Sequence, residues 1–216
     1  MPRSQDGPET PGVNPYLEGH LRALGGGGLV LDLGCGRGDW MSRMRAEGLT
    51  PVGMEPEWAR AKLALAHAPV AVADGQRLPL RDGCISLVWC IHVLHHLEDP
   101  VAALGEMRRV LRPGGHLILA ETVEDNPAIR LGRRIHPEWD GVHVHSRFTA
   151  FDLLALVRES GLDVDERRQH SLVSFAAWAL PVGARRAWSA LSAVERRLPT
   201  ATQRWGAHLE CVARAP

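Results

Sequence analysis

The sequence predicts a doubly wound α/β fold: a mostly parallel sheet of seven strands, the last one antiparallel, with helices on both faces. Two observations lead there. Short apolar runs at 29–33, 51–54, 70–73, 85–89 and 116–121 alternate with helical stretches, the rhythm of consecutive βαβ units. The first run, Leu29-Val-Leu-Asp-Leu33, then breaks into glycine at Gly34, Gly36 and Gly38 before a helix begins near Asp39. A strand feeding a glycine loop and a helix start is how such folds bring backbone close to a ligand.

The elements follow in order. Residues 1–15 carry Pro, Gly, Ser and Asp without periodicity and predict a flexible tail, with one domain spanning 16–216. A short amphipathic helix over 16–24 is stopped by four glycines at 25–28. After the glycine loop a helix runs over 39–47, a strand over 51–54, a helix over 57–67 and a strand over 70–73. The fourth strand, 85–89, leads to a helix that Asp99 caps and Pro100 opens. That helix ends near Leu111, and the fifth strand covers 116–121. Residues 122–148 show little pattern and predict a lid or substrate loop at the mouth of the crevice. Thr149-Ala-Phe-Asp152 reads as a capping box opening a helix to Ser160. A strand over 162–170, a helical insertion over 174–198 and a strand over 207–213 complete the chain.

Composition narrows the function classes. The 216 residues hold 25 basic and 25 acidic side chains, so no basic field points to nucleic acid or an anionic membrane. The four cysteines, Cys35, Cys84, Cys90 and Cys211, form no C-x-x-C pair, as in a reducing compartment rather than a disulfide frame. No apolar leader and no run of about 18 apolar residues occurs, so a cytoplasmic protein without a membrane span is expected. Nothing in the residues reports the oligomeric state.

The glycine loop is not the dinucleotide fingerprint. G-x-G-x-x-G needs a third glycine where this chain has Asp39, an acid that would repel a pyrophosphate at the helix start. A nucleotide-dependent oxidoreductase is therefore disfavoured. The pattern present, Asp32-x-Gly34-x-Gly36-x-Gly38, resembles the first motif of the class I S-adenosylmethionine-dependent methyltransferases, a Rossmann-like family. Glu55 ends the second strand 21 positions beyond Gly34, the spacing of an acid that grips ribose hydroxyls. After the third strand, Asp74-Gly-Gln-Arg-Leu-Pro-Leu80 resembles the family's acid-small-x-x-Leu-Pro-Phe, with Leu80 in place of Phe. The run from Leu94-His-His-Leu97 through Leu111-Arg-Pro-Gly-Gly115 resembles the ubiquinone/menaquinone-biosynthesis type in particular.

The resemblance implies S-adenosylmethionine as cofactor, released as S-adenosylhomocysteine. It implies a cofactor site made of Asp32, Gly34, Cys35, Gly36, Gly38, Glu55, Pro56, Asp74, Gly75, Gln76 and Cys90, with Tyr16 brought over it by the N-terminal helix. Asp74 would accept from the adenine amino group and backbone carbonyls near Gly34 and Cys90 would face the methionyl ammonium. A hydroxyl acceptor needs a base, and histidine supplies one near neutral pH. Among His92, His95, His96, His143 and His145, the best placed are His95, after the fourth strand, and His143, from the lid. His143-x-His145 with His136 is the nearest approach to a metal set; no Cys, Asp or Glu spacing completes it, and no metal is expected. Trp178, Trp188 and Trp205 are candidates to line an aromatic pocket or to pack on the sheet.

The chain has Trp89-Cys-Ile-His92 where enzymes methylating exocyclic amines carry Asn/Asp-Pro-Pro-Tyr. The reading is methyl transfer to a small molecule or small modified peptide, O-methylation first, N- or C-methylation next. A non-catalytic subunit that binds the cofactor and scaffolds a partner is the alternative of a different class.

Overall fold

All seven expected strands join one sheet. They are β1 (Leu29–Leu33), β2 (Thr50–Met54), β3 (Val70–Ala71), β4 (Ile85–Ile91), β5 (Leu111–Thr122), β6 (Asp163–His170) and β7 (His208–Arg214), in the order β3-β2-β1-β4-β5-β7-β6. The computed structural model describes residues 15–24, 26–135, 144–174, 184–195 and 197–216. Strands β1 to β5 pair in parallel, while β7 runs antiparallel to both β5 and β6.

The sheet is covered on both sides. Successive residues of a strand point to opposite faces, and the two faces have separate cores. Val30, Leu87, Trp89, Ile118, Ala120 and Val212 pack with Leu17 and Leu21 of α1 (Pro15–Leu24) and Met44 of α2 (Asp39–Ala46). Leu31, Val88, Leu117 and Leu119, one position out of step, pack with Leu104 and Met107 of α4 (Pro100–Val110) and Leu153 and Val157 of α6 (Ala150–Glu159). A strand apolar at consecutive positions is what a two-sided sheet requires, and β4 is buried at every residue but its last. Helix α3 (Trp58–Ala64) covers the β2–β3 side.

Both expected helix starts form. The Asp99 Oδ1 accepts from the Ala102 N–H at 2.9 Å with Pro100 in the first turn. The Thr149 hydroxyl and Asp152 carboxylate exchange bonds across the N-terminus of α6. These signals are local in sequence and survive into the tertiary fold.

Four boundaries differ from the sequence reading. β5 begins at Leu111 instead of 116, because Leu111 pairs with Ile85 directly after the helix and the register then shifts across Gly114-Gly115 before Leu87 meets His116. β3 has two residues, as befits a sheet edge with one partner. The stretch read as patternless carries α5 (Pro127–Ile135). Its start signal was present: the Asn126 Oδ1 accepts from the Ala128 N–H at 2.8 Å and Pro127 occupies the first helical position. Within 174–198, the described helix is α7 (Ala184–Glu195), followed by a 3₁₀ turn at Thr200–Trp205.

Leu104 is fully buried where α4 meets β4 and β5. Leu104→Ala is expected to lower stability by about 3 kcal/mol, read as a lower urea midpoint at unchanged slope.

Candidate active site

The glycine loop leaves β1 at a position fixed by its neighbours. Gly34, Gly36 and Gly38 all have positive φ, at 70°, 55° and 91°, a region that favours glycine. Gly34 and Gly38 are also needed for close packing. A Cβ on Gly34 would meet Val93 at 2.5 Å, and one on Gly38 would meet His67 at 2.8 Å and Ala64 at 3.0 Å. Gly36 differs, since a Cβ there would face open space. Two of the three glycines therefore seat the loop, and the middle one bares backbone to the crevice.

The loop's donors are already committed. The Gly34 and Cys35 N–H groups donate to the Met54 carbonyl at 2.8 and 3.1 Å, and Gly38 N–H to the Cys35 carbonyl at 2.9 Å. The Gly36 N–H donates to the Glu55 Oε2 at 2.9 Å. A pyrophosphate site needs such N–H groups turned outward; here they point into the protein.

Three of the expected acids line one edge of the sheet. Asp32 is the penultimate residue of β1, Glu55 follows β2, and Asp74 lies three residues beyond β3. These strands are neighbours. Glu55 is buried, its Oε1 accepting from the Glu57 N–H at 3.1 Å, and exposed Pro56 follows it. Asp74 is exposed and held by Gln76, whose backbone N–H donates to its Oδ1 at 2.9 Å and whose side-chain amide donates to both oxygens at 3.1 Å. The Gln76 Oε1 in turn accepts from the Asp99 N–H at 2.7 Å. Gly75 is buried between Leu33 and Leu97. Glu106 and Arg109 of α4 fasten the next turn, accepting from the Leu78 N–H at 2.8 Å and donating to the Leu80 carbonyl at 2.8 Å.

Asp32 is the unusual acid. It is 3% exposed and its Oδ2 is buried with no hydrogen-bond partner. Burial, reinforced by the charges of Glu55 and Asp39, pushes its carboxyl up to about 8. Burial acts on the neighbouring thiols too: Cys35, also facing Asp32 and Glu55, is raised to about 12, and fully buried Cys90 is raised by burial and then by Glu121 and Asp32.

On the other side of β1, the end of β4 turns through His92, whose φ of 56° is left-handed for a residue other than glycine. Its N–H is held by the Ala120 carbonyl at 2.8 Å. The 3₁₀ turn Leu94–His96 follows. Glu121, wholly buried near the end of β5, receives the Leu94 N–H at 2.7 Å and the His95 Nδ1 at 2.7 Å, with the His92 Nδ1 at 4.0 Å. Burial alone would raise this carboxyl, but the His95 hydrogen bond, the His95 and His92 charges and the Leu94 N–H together hold it below the ordinary range. An ionised carboxylate only accepts. The Nδ1 of His95 therefore donates to it, and the Nε2 is the ring nitrogen left on the other side of the imidazole. The chain returns over this pair from 145 and 146, whose N–H groups donate to the His95 carbonyl at 2.8 and 3.2 Å. Sequence reasoning named His95 and missed Glu121; the one available signal was an acid closing the apolar run Leu117-Ile-Leu-Ala120.

Other expected residues fall elsewhere. The Tyr16 hydroxyl donates to the Glu166 Oε2 at 3.4 Å, and the Arg168 guanidinium sits 5.4 Å from its ring. Both partners belong to β6, four strands from β1, so the contacts of Tyr16 lie apart from those of the glycine loop. Burial, then the charges of Glu166 and Glu210, push its phenol up to about 12. His143, His136 and Trp178 lie outside the described residues. Among the described residues no group of three or more His, Cys, Asp or Glu is placed to hold a metal ion, and no helix is long and apolar enough to cross a membrane. Trp205 is 42% exposed, with the Arg204 guanidinium 4.4 Å above its ring.

The raised carboxyl of Asp32 fixes a pH dependence. Below about 4 both folded and unfolded chains hold its proton; between there and about 8 only the folded chain does, so stability falls as pH rises through that window and is level above it. Asp32→Asn lacks this loss. Its urea midpoint relative to the parent chain is expected to climb from pH 4 to pH 8 and then stay constant.

The comparisons agree with this geometry. Residues 31–119 match the family model described as a methyltransferase domain. A ubiquinone biosynthesis O-methyltransferase of Pseudomonas aeruginosa is 31% identical over 171 residues, covering 71% of this chain and 73% of the relative. An uncharacterized 37.1 kDa protein of a Streptomyces fradiae transposon is 34% identical over 125 residues; the match covers 53% of this chain but 32% of that protein. Among solved structures, the cyclase SpnF superposes with a TM-score of 0.65 at 20% identity, over 93% of this chain and 79% of its own. Glycine loop, strand-end acids, sheet order and relatives converge: the chain belongs to the class I S-adenosylmethionine-dependent methyltransferases, whose cofactor is S-adenosylmethionine.

Proposed function

We propose that the chain transfers a methyl group from S-adenosylmethionine to a hydroxyl oxygen of a small molecule or small modified peptide. The observation that carries the reading is the His95–Glu121 pair. It sits at the carboxyl ends of β4 and β5, beside the β1 loop, and sets an imidazole against a buried anion that orients it. An alcohol loses its proton as it attacks, and a positioned base contributes about 10²–10⁴ in rate. The ubiquinone biosynthesis relative, an O-methyltransferase by name, supports the same direction.

The residues fit the cofactor. Bound, it supplies an activated methyl on a cationic sulfur. The bare backbone at Gly36 and the partnerless Oδ2 of Asp32 are where an adenosyl group and a cationic methionyl portion find room and an acceptor, the cation favouring the ionised form of the raised Asp32 carboxyl. Gly34, Cys35, Gly36 and Gly38 would hold it from below, with the Cys90 carbonyl opposite. Glu55 keeps acceptor capacity for ribose hydroxyls beyond its two backbone bonds, with Pro56 alongside. Asp74, Gly75 and Gln76 would hold the base. Fixing donor and acceptor at attack distance supplies several kcal/mol of the barrier.

Glu121 acts through His95, as a positioning residue. Its ionised form accepts from the His95 Nδ1 and so orients the ring, and its second bond to the Leu94 N–H fixes the turn that carries the imidazole. His143, the second candidate base, would reach the acceptor from 122–148.

Glu55→Ala is expected to weaken S-adenosylhomocysteine binding about tenfold or more, by calorimetry, as charge-assisted bonds are lost. An unchanged constant removes Glu55 from the site. His95→Ala is expected to lower kcat at least about a hundredfold with S-adenosylhomocysteine affinity unchanged. The assay is a metabolite screen with isotopically labelled donor. Label recovered on nitrogen or carbon overturns O-methylation, and binding without turnover favours the scaffolding subunit. In the same assay His143→Ala should slow turnover without touching cofactor affinity.

A further inference from the structure

We infer that a polar cavity at the carboxyl end of β6 is the distal half of the acceptor site and takes a neutral, multiply hydroxylated group such as a sugar or polyol. The inference rests on the methyltransferase reading above for its link to the reactive end. Arg168 and His170 of β6, Ser192 and Glu195 of α7, and Thr202 and Gln203 of the 3₁₀ turn line the cavity. Leu172 is the one apolar side chain among the described lining residues. An aromatic acceptor would find little surface to stack on.

Charge narrows the class further. The Arg168 Nη1 lies 3.8 Å from the buried Glu210 carboxylate, and the His170 Nε2 is 2.9 Å from the same group. Glu195 accepts from the Leu172 N–H, the Ser174 N–H at 3.3 Å and the Ser174 hydroxyl at 2.7 Å. Arg168 and His170 face Glu210, so an anion would find no unmatched cation, and the Glu195 oxygens are already engaged by three N–H and O–H donors. The chemistry left toward the cavity is hydroxyl and amide, from Ser192, Thr202 and Gln203. Alcohol groups, each one donor and two acceptors, match that set.

The cavity lies on the same edge of the sheet as the reacting end. The His170 ring is 5.5 Å from that of His208, and His208 is 5.6 Å from His92, whose Nδ1 approaches Glu121. β7 and β6 contribute His208 and His170 as directly paired residues. Two ring contacts, on the order of 10 Å, thus separate the cavity wall from the His92–His95 turn. An acceptor with a hydroxylated portion in the cavity would present its far end there.

Saturation-transfer NMR on the full chain tests this with methyl α-D-glucopyranoside and myo-inositol as probes, benzoate and putrescine as ionic controls, and S-adenosylhomocysteine present. The expected result is signal from at least one polyol, stronger than from either control, with affinity weakened at least about fivefold in Ser192→Leu/Gln203→Leu. Exposed Gln203 also permits Gln203→Leu alone, which should weaken binding in the same direction. Unchanged S-adenosylhomocysteine affinity by calorimetry verifies that each variant is folded. No polyol signal, a stronger benzoate or putrescine signal, or equal polyol binding by the folded variants overturns the inference. The methyltransferase reading fails separately, through absent S-adenosylhomocysteine binding in the unsubstituted chain.

Discussion

The strands step outward from β1 to β2 to β3, and β4 then begins again on the other side of β1. Right-handed crossovers in opposite directions send the connecting chain to opposite faces, and a crevice has to open above the carboxyl ends where the direction reverses. Here that point is the β1–β4 boundary. One wall carries Gly34 to Gly38, and the other carries His92 to His96. Neither set of residues comes near the other along the chain; the sheet order alone makes them neighbours.

Into that crevice the fold places acids with very different support. Glu55 is held by the Gly36 and Glu57 N–H groups, and Glu121 by the Leu94 N–H and His95. Asp32 keeps one oxygen with no partner. A buried carboxylate without a partner is costly, and proteins keep such groups mostly where function requires them. The contrast divides the edge into two parts. The acids at β1 and β2 suit a cationic, hydroxyl-bearing ligand, and the acid at β5 is turned inward to orient a histidine. Backbone strain falls on one side of this division, at left-handed His92 beside Glu121, while the positive-φ positions beside Asp32 are glycines that adopt it freely.

Resemblance in fold stops short of this level of detail. SpnF, a cyclase, shares the architecture at 20% identity, so the sheet by itself does not specify the chemistry performed above it. Above the far half of the edge this chain sets the row His92, His95, His208 and His170 with Glu121 and Glu210, and the polar cavity where that row ends.

The sequence by itself determined the features whose signals are local. Leu29 to Gly38, the Asp99 and Thr149 caps, the apolar runs and the acids at 32, 55 and 74 were all legible, because strand period, turn chemistry and capping act within a few residues. The Asn126-Pro127 helix start is equally local, but the helix it opens is only nine residues long and four of them are arginine or glycine, so its period is short in the sequence. Only the tertiary structure decided which histidine receives a carboxylate. His95 and Glu121 stand 26 residues apart, and their meeting depends on β5 pairing with β4 in one register. It likewise set His170 beside His208 and gave Tyr16 its β6 partners, since pairing between distant strands leaves no mark in the periodicity of either.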